Sequence, residues 1–290
     1  LDTPAVRRLQ ALHAPVFVVP LGMKAWFESA FCSCDYDVVA GQQPAEGREP
    51  ADAGTDGKKE TAKNKKEVVT VCELDWWQCA ELAVDVSGNG EEAAPDRRAI
   101  AVTAFPVQHW AMRTGPWDRN TQLWCGFVYE VPVRVPASVP AGGSTSSSSG
   151  TNKAPASEGE TKIVRRFLHS GDTAYCPTFA AVREAFGPMD FAMLPIGAYE
   201  PRFVMSPQHC NPEEAVQFHA DLGRPTLSVG QHWGTFILTD EPLDEPPRLL
   251  AAAMAAKGFP LDEFVAVAHG ETVAVEAVRS DAILDRKSVV

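Results

Sequence analysis

The stretch Ile163-Val164-Arg165-Arg166-Phe167-Leu168-His169-Ser170-Gly171-Asp172-Thr173 reads as an extended apolar run that ends in a turn carrying a carboxylate. Two other segments have the same form. Ala101 to Gln108 leads into His109-Trp110, and Thr226 to Gln231 leads into His232-Trp233-Gly234-Thr235. Each is a strand followed at once by a metal-capable side chain. Loops at strand ends are where a rigid sheet can hold such groups in register. No His-x-His-x-Asp-His cluster occurs anywhere in the sequence.

The remaining apolar runs extend this pattern. Val16–Val19, Val68–Cys72, Ile100–Phe105, Leu123–Val131, Ile163–Leu168, Phe191–Leu194, Thr226–Val229, Phe264–Val267 and Thr272–Val275 are short and rich in Val, Ile and Phe, and are predicted strands. Helical patterns lie between them. The clearest is Pro212 to Leu222, with Asn211 as N-cap, Pro212 at the first helical position, Glu214 completing a capping box and Gly223 after the end. Pro246 to Lys257 is a second, stopped by Gly258. Strands alternating with helices predict a layered α/β protein. The prediction is one domain over residues 1–290. It is interrupted by disordered insertions at 41–66 and 137–160, whose Gly-, Ser-, Pro- and Lys-rich composition cannot offset the entropy of ordering.

Composition bounds the function. The chain has 290 residues, of which 45% are apolar, enough for a sizeable core. With 26 basic and 38 acidic residues its net charge is −12. That excess argues against nucleic acid as a partner, because phosphate backbones need a basic surface. The charges of the two insertions cancel, so the acidity belongs to the rest. Seven cysteines, with no CxxC pair, read as reduced thiols of an intracellular protein. The longest apolar stretch, Ala14 to Met23, contains two prolines and is too short to span a bilayer.

Taken singly, the candidate site residues are ambiguous. A His beside a Trp is more often packed than ligating, and Gly171-Asp172-Thr173 is ordinary turn chemistry with the Asp bonded to backbone. His209, just ahead of the Asn211 helix start and seven residues after Arg202, could hold a phosphate or stand as an exposed loop residue. His169 is a strand-end residue close enough to support Asp172 indirectly. His219 reads as a surface residue in mid-helix, and Asp75-Trp76-Trp77 as a strand end with a packed aromatic pair. The chain has no GxSxG elbow, no Gly-rich phosphate loop and no GxGxxG after a strand.

The order of the segments carries more than any one of them. Val18-Val19-Pro20-Leu21-Gly22, Glu73-Leu74-Asp75-Trp76-Trp77, Gln108-His109-Trp110, Gly171-Asp172-Thr173-Ala174-Tyr175-Cys176-Pro177 and Pro195-Ile196-Gly197-Ala198-Tyr199-Glu200-Pro201-Arg202 follow one another. Gln208-His209-Cys210-Asn211-Pro212-Glu213-Glu214-Ala215, His232-Trp233-Gly234-Thr235-Phe236 and His269-Gly270-Glu271 complete the series. Together they resemble the N-acylphosphatidylethanolamine-hydrolysing phospholipase D family, zinc hydrolases of metallo-β-lactamase fold.

The resemblance implies a four-layer αβ/βα sandwich and two zinc ions. It implies His109, Asp172 and His232 as metal ligands, with Asp172 bridging both ions and orienting the attacking water. It implies His209 as a substrate contact. The expected reaction hydrolyses N-acylphosphatidylethanolamine to phosphatidic acid and an N-acylethanolamine. A cytoplasmic location, peripheral membrane association and a homodimer are implied in the same way. The family's His-x-His-x-Asp-His motif is commonly followed by Leu-Asp, and this chain begins Leu1-Asp2. The expectation is therefore a chain N-terminally truncated just after that motif. Four ligands would then lie upstream, and this chain would bind zinc weakly and turn over little. Two alternatives stand beside this reading. One is another zinc hydrolase of the fold, acting on a lactone or cyclic phosphodiester. The other is a non-catalytic protein that binds a lipid or partner.

Overall fold

The computed structural model describes residues 3–32, 69–85, 97–113, 115–136 and 160–275. Internal contacts divide the chain into Leu1–Glu73 and Leu74–Val290. The first unit holds α1 (Thr3–His13), β1 (Val16–Pro20), α2 (Lys24–Cys32) and all but the last residue of β2 (Thr70–Leu74). Its small core is Val19, Met23 and Phe27, with Phe17 against Phe27 at 5.0 Å between ring centroids. The Arg7 guanidinium bonds the Ala30 carbonyl and so ties α1 to α2.

The second unit is built on a seven-stranded sheet whose spatial order is the chain order. It comprises β3 (Cys79–Asp85), β4 (Arg97–Pro106), β5 (Cys125–Pro136), β6 (Glu160–His169), β7 (Phe191–Pro195), β8 (Leu227–Gln231) and β9 (Phe264–Val265). Strands β3 to β6 pair antiparallel, and β6 to β9 pair parallel. Parallel neighbours need crossover connections, and helices supply them. α3 (Thr178–Phe186) joins β6 to β7, α4 (Arg202–Met205) and α5 (Pro212–Asp221) join β7 to β8, and α6 (Glu245–Ala256) joins β8 to β9.

One consequence positions the site. β4 is antiparallel to β5 and β5 is antiparallel to β6, so β4 runs with β6, β7 and β8. The carboxyl ends of all four open on one edge of the sheet. His109 follows β4, Asp172 follows β6, His209 lies in the β7 connection and His232 follows β8. Open α/β sheets bind ligands at this edge.

The core lies between the sheet and its helices. Phe105, Leu168, Leu194, Phe179, Phe218, Leu250 and Met254 are almost wholly buried. Phe179 and Phe218 meet with ring centroids 3.9 Å apart, joining α3 to α5, and Phe105 of β4 meets Phe179 edge-on at 5.9 Å. The α5 start is as predicted: the Asn211 side chain accepts from Glu214 N at 2.9 Å, and Glu214 returns a bond to Asn211 N at 3.0 Å.

Several expectations are corrected. His219 is fully buried rather than on the surface. Its Nδ1 lies 2.9 Å from Ser228 Oγ, and its ring stacks on Phe264 at 5.6 Å, so the helix face taken as solvent-facing is covered by β8 and β9. Residues 272–275 form no strand. Cys79–Asp85 is a strand without a clear apolar signal of its own, specified by its pairing with β4. Trp76 and Trp77 are not packed as a pair. Trp76 meets Trp124 edge-on at 6.1 Å, while Trp77 is exposed in the turn before β3 with φ 65. The segments predicted as insertions, 41–66 and 137–160, lie outside the described residues apart from Glu160, where β6 begins.

Two substitutions test this account by chemical denaturation. Phe218→Ala removes a ring at the α3–α5 contact and is expected to cost about 3–5 kcal/mol. Asn211→Ala removes one cap and is expected to cost about 1 kcal/mol. Equal losses would show that the aromatic junction is not the main contact between these helices.

Candidate metal centre

Four side chains gather at the carboxyl edge of the sheet. Asp172 Oδ2 and His232 Nε2 are 3.2 Å apart. The His209 ring sits between the other two imidazoles, its centroid 5.0 Å from that of His109 and 5.0 Å from that of His232. Every site residue named from the sequence is therefore in one cluster.

The local chain explains each placement. The His109 ring stacks on Trp110, and its Nδ1 lies 2.7 Å from the Trp110 carbonyl. A carbonyl can only accept, so Nδ1 carries the proton and the lone pair of neutral His109 is on Nε2. That atom is buried and has no hydrogen-bond partner. A metal-ligating histidine takes this form, with one ring nitrogen fixed by a backbone carbonyl and the other bare. Asp172 follows the turn at Gly171, which has φ 65 and donates its N–H to His169 Nδ1 at 3.0 Å. The expected bond from the Asp172 carboxylate to its own turn is replaced by the one to His232.

His232 stands in the left-handed region with φ 62, a conformation that costs a non-glycine residue roughly 1–2 kcal/mol. Outliers of this kind persist where surrounding structure over-determines them. Here Gly197 does so: a Cβ at that position would lie 2.2 Å from the His232 carbonyl oxygen. Ile196 N donates to Gln231 O at 3.0 Å, and Gln231 Nε2 reaches the Gly171 carbonyl at 3.1 Å. The His232 loop is thus tied to both neighbouring loops. Glu241 then closes the next loop, its carboxylate accepting from Ala198 N at 2.6 Å, Tyr199 N at 3.3 Å and Glu200 N at 3.0 Å. Sequence reasoning missed Gly197, Gln231 and Glu241. Gly197 and Gln231 sat inside quoted motifs, but Glu241 has no local signal, because its partners lie about forty residues earlier.

Beside His209, the Arg202 guanidinium weighed as a phosphate partner is engaged within the protein. Glu214 occupies the end of the helix, and the Arg202 guanidinium is committed to Glu214 at 2.9 and 2.8 Å and to the His209 carbonyl at 3.0 Å. Arg202 therefore shapes the His209 loop. Gln108 Nε2 donates to the Pro207 carbonyl at 3.0 Å and Trp110 Nε1 bonds Gln208 Oε1, which hold the His109 loop against it. His209 is 8% exposed, and its Nδ1 has no hydrogen-bond partner.

The electrostatics follow from this crowding. Burial pushes the Asp172 carboxyl up, but the His232 hydrogen bond and charge, aided by His109 and His209, hold it below the usual value. Burial pushes His232 down, but Asp172 more than restores it, leaving it raised. Burial, then the neighbouring His232 and His109, press His209 down to about 4, so it is neutral at pH 7. Burial lowers His169, with Asp172 opposing.

The donors fit a metal ion in kind, and one pair fits in spacing. Imidazole nitrogen and carboxylate oxygen both suit zinc, and two donors on a tetrahedral zinc at 2.0–2.2 Å stand roughly 3.3 Å apart. The Asp172–His232 separation of 3.2 Å matches. Among the described residues, however, no group of three His, Cys, Asp or Glu side chains could hold an ion unaided.

Two predictions follow from the strain and the charges. Glycine adopts φ 62 without cost, so H232G is expected to melt higher than H232A, by an amount equivalent to about 1–2 kcal/mol; equal midpoints would show that the conformation is unstrained. The depressed His209 takes up its proton later than in the unfolded chain. It therefore contributes stability that is complete above pH 6.5 and lost as pH falls towards about 4. The raised His232 works oppositely, contributing fully below pH 6.5 and losing its contribution as pH rises through its folded value. H209Q is accordingly expected to flatten the loss of stability between pH 6.5 and 4, as read from urea midpoints; an unchanged slope counts against a buried neutral His209.

Known proteins share similarity with much of this chain. The sequence model of the β-lactamase superfamily domain matches residues 160–233, the segment carrying Asp172, His209 and His232. N-acyl-phosphatidylethanolamine-hydrolyzing phospholipase D 1 of Caenorhabditis elegans is 31% identical over 275 residues, covering 93% of this chain and 56% of the relative. The mitochondrial N-acyl-phosphatidylethanolamine-hydrolyzing phospholipase D of Saccharomyces cerevisiae is 25% identical over 264 residues, covering 89% of this chain and 39% of that protein. An uncharacterized Mycobacterium tuberculosis protein is 31% identical over 186 residues, covering 63% and 37%. The chain thus spans about half or less of the length of these relatives. The seven-stranded sheet with its helices and the family match agree on the metallo-β-lactamase fold. Residues 160–233 thus match the β-lactamase superfamily domain, and most of the chain is similar to the N-acyl-phosphatidylethanolamine-hydrolyzing phospholipases D.

Proposed function

We propose that the chain carries part of the active site of a zinc-dependent phosphodiesterase that hydrolyses N-acylated phospholipids such as N-acylphosphatidylethanolamine. The observation that carries this is the pairing of Asp172 with His232 at 3.2 Å beside the bare Nε2 of His109. His109, Asp172 and His232 would hold metal. Bound zinc would lower the pKa of a coordinated water towards about 7 and draw charge from the phosphoryl oxygens. Asp172, with 49% of its side chain exposed, is accessible to both metal and water. His209, neutral at pH 7 and with its carbonyl held by Arg202, would donate to a phosphoryl oxygen through its unpartnered Nδ1 in the tautomer protonated there.

A lipid substrate is supported by the surface next to His232. Phe236, Ile237 and Leu238 are 72%, 82% and 66% exposed, an apolar run of the kind that meets lipid rather than water. The relatives' names point the same way. Peripheral membrane contact and a homodimer belong to this reading as proposals. Among the described residues no helix is long and apolar enough to cross a membrane.

Three donors shared between two ions leave each ion short of the three protein ligands usual in catalytic zinc sites. The expected outcome is weak zinc uptake by this chain alone. With a His-x-His-x-Asp-His segment joined ahead of it, uptake should approach two zinc ions per chain, with hydrolysis of N-acylphosphatidylethanolamine abolished by chelation. H109A, D172A and H232A should each lower zinc content. Near-zero zinc in the extended protein would overturn the enzyme reading and favour a non-catalytic binding protein.

A further inference from the structure

The loops that carry His109, Asp172 and His209 meet at one residue that is not itself a candidate ligand. Thr173 is fully buried. Its Oγ1 accepts from Gln108 N at 3.0 Å and donates to the Ala174 carbonyl at 2.8 Å. Its own carbonyl accepts from Cys210 N at 3.0 Å. Ala174 N donates back to Gln108 O at 2.9 Å, closing an antiparallel bridge between residues 108 and 174. Gln108 immediately precedes His109, Thr173 immediately follows Asp172, and Cys210 immediately follows His209. The joint therefore acts within one residue of three of the four clustered side chains.

We propose that Thr173 is a positioning residue, whose hydroxyl sets the His109 backbone against the Asp172 turn while its carbonyl sets the His209 loop. The hydroxyl does what neither a methyl group nor water could do in this place. It fills a space closed to solvent, accepts from the part-buried Gln108 amide, and fixes its own rotamer through Ala174. An amide deprived of its acceptor favours a shift of the loop that finds another partner. A shift at Gln108 moves His109 directly. The bearing of this on metal binding rests on the ligand roles proposed above; the positioning of the loops does not.

The bland alternative is a threonine whose methyl group merely fills space. Thr173→Val and Thr173→Ser separate the two, because the first keeps the shape without the hydroxyl and the second keeps the hydroxyl without the methyl. Two readouts on the purified chain are used: the NMR signals of the Gln108 amide and His109 imidazole, and a titration with zinc. T173S is expected to keep both sets of signals near wild type, and T173V to displace both. T173V should weaken zinc binding by about 10-fold or more, the size usual for groups that orient metal ligands. Wild-type signals and zinc affinity in T173V would overturn the proposal. Displaced signals in T173V support the positioning role even if wild type takes up no zinc, and the zinc content of the extended protein then decides the ligand roles separately. Should T173V fail to fold, hydrogen exchange of wild type decides: the Gln108 amide is expected to be strongly protected, and free exchange there overturns the proposal.

Discussion

The direction of four strands is the constraint on which the rest depends. Because β4, β6, β7 and β8 run the same way, the chain returns four times to one edge of the sheet. Each return delivers a side chain: His109, Asp172, His209 and His232. Helices α3 and α5 make the parallel returns possible, and their Phe179–Phe218 contact anchors them to the sheet through Phe105. Packing far from the site thus determines which residues can meet there.

At the edge itself, backbone hydrogen bonds and glycine do the fine positioning. Thr173 joins the loops after β4, β6 and β7. Gln231 joins the loops after β6 and β8, and Glu241 bonds three successive amides after β7. The absent side chain of Gly197 lets the His232 backbone approach. The result is an imidazole held in a strained left-handed conformation against a carboxylate. Strain of this kind is retained where geometry matters more than local stability. The same crowding separates the titrations of two of the clustered imidazoles. His232 is drawn up by a carboxylate, while His209 is pressed down by burial and by its neighbours.

Much of this was legible beforehand, and the exceptions have physical causes. The α5 start could be read because its capping box is local, with Asn211 and Glu214 three residues apart. The central strands could be read because strands buried on both faces are continuous apolar runs. β3 was not legible, because its residues 79–85 gain their strand character from β4. His219 was misplaced because a polar residue on a helix says nothing about what lies against it. Ser228 Oγ and the Phe264 ring supply its surroundings from elsewhere in the chain. Arg202 looked available for an anion because its true partner, Glu214, is twelve residues away.

By itself the sequence determined the alternation of strands and helices, the positions of the strand-end residues and the ordered motifs that resemble a family of metallo-β-lactamase fold. These depend on neighbours within a few positions or on the order of segments. Only the tertiary structure decided that His109, Asp172, His209 and His232 share one cluster, that His109 presents a bare Nε2, and that Arg202 serves a loop. Those outcomes depend on contacts between residues as far as 100 positions apart, as for His109 and His209, and on burial, which no local pattern encodes.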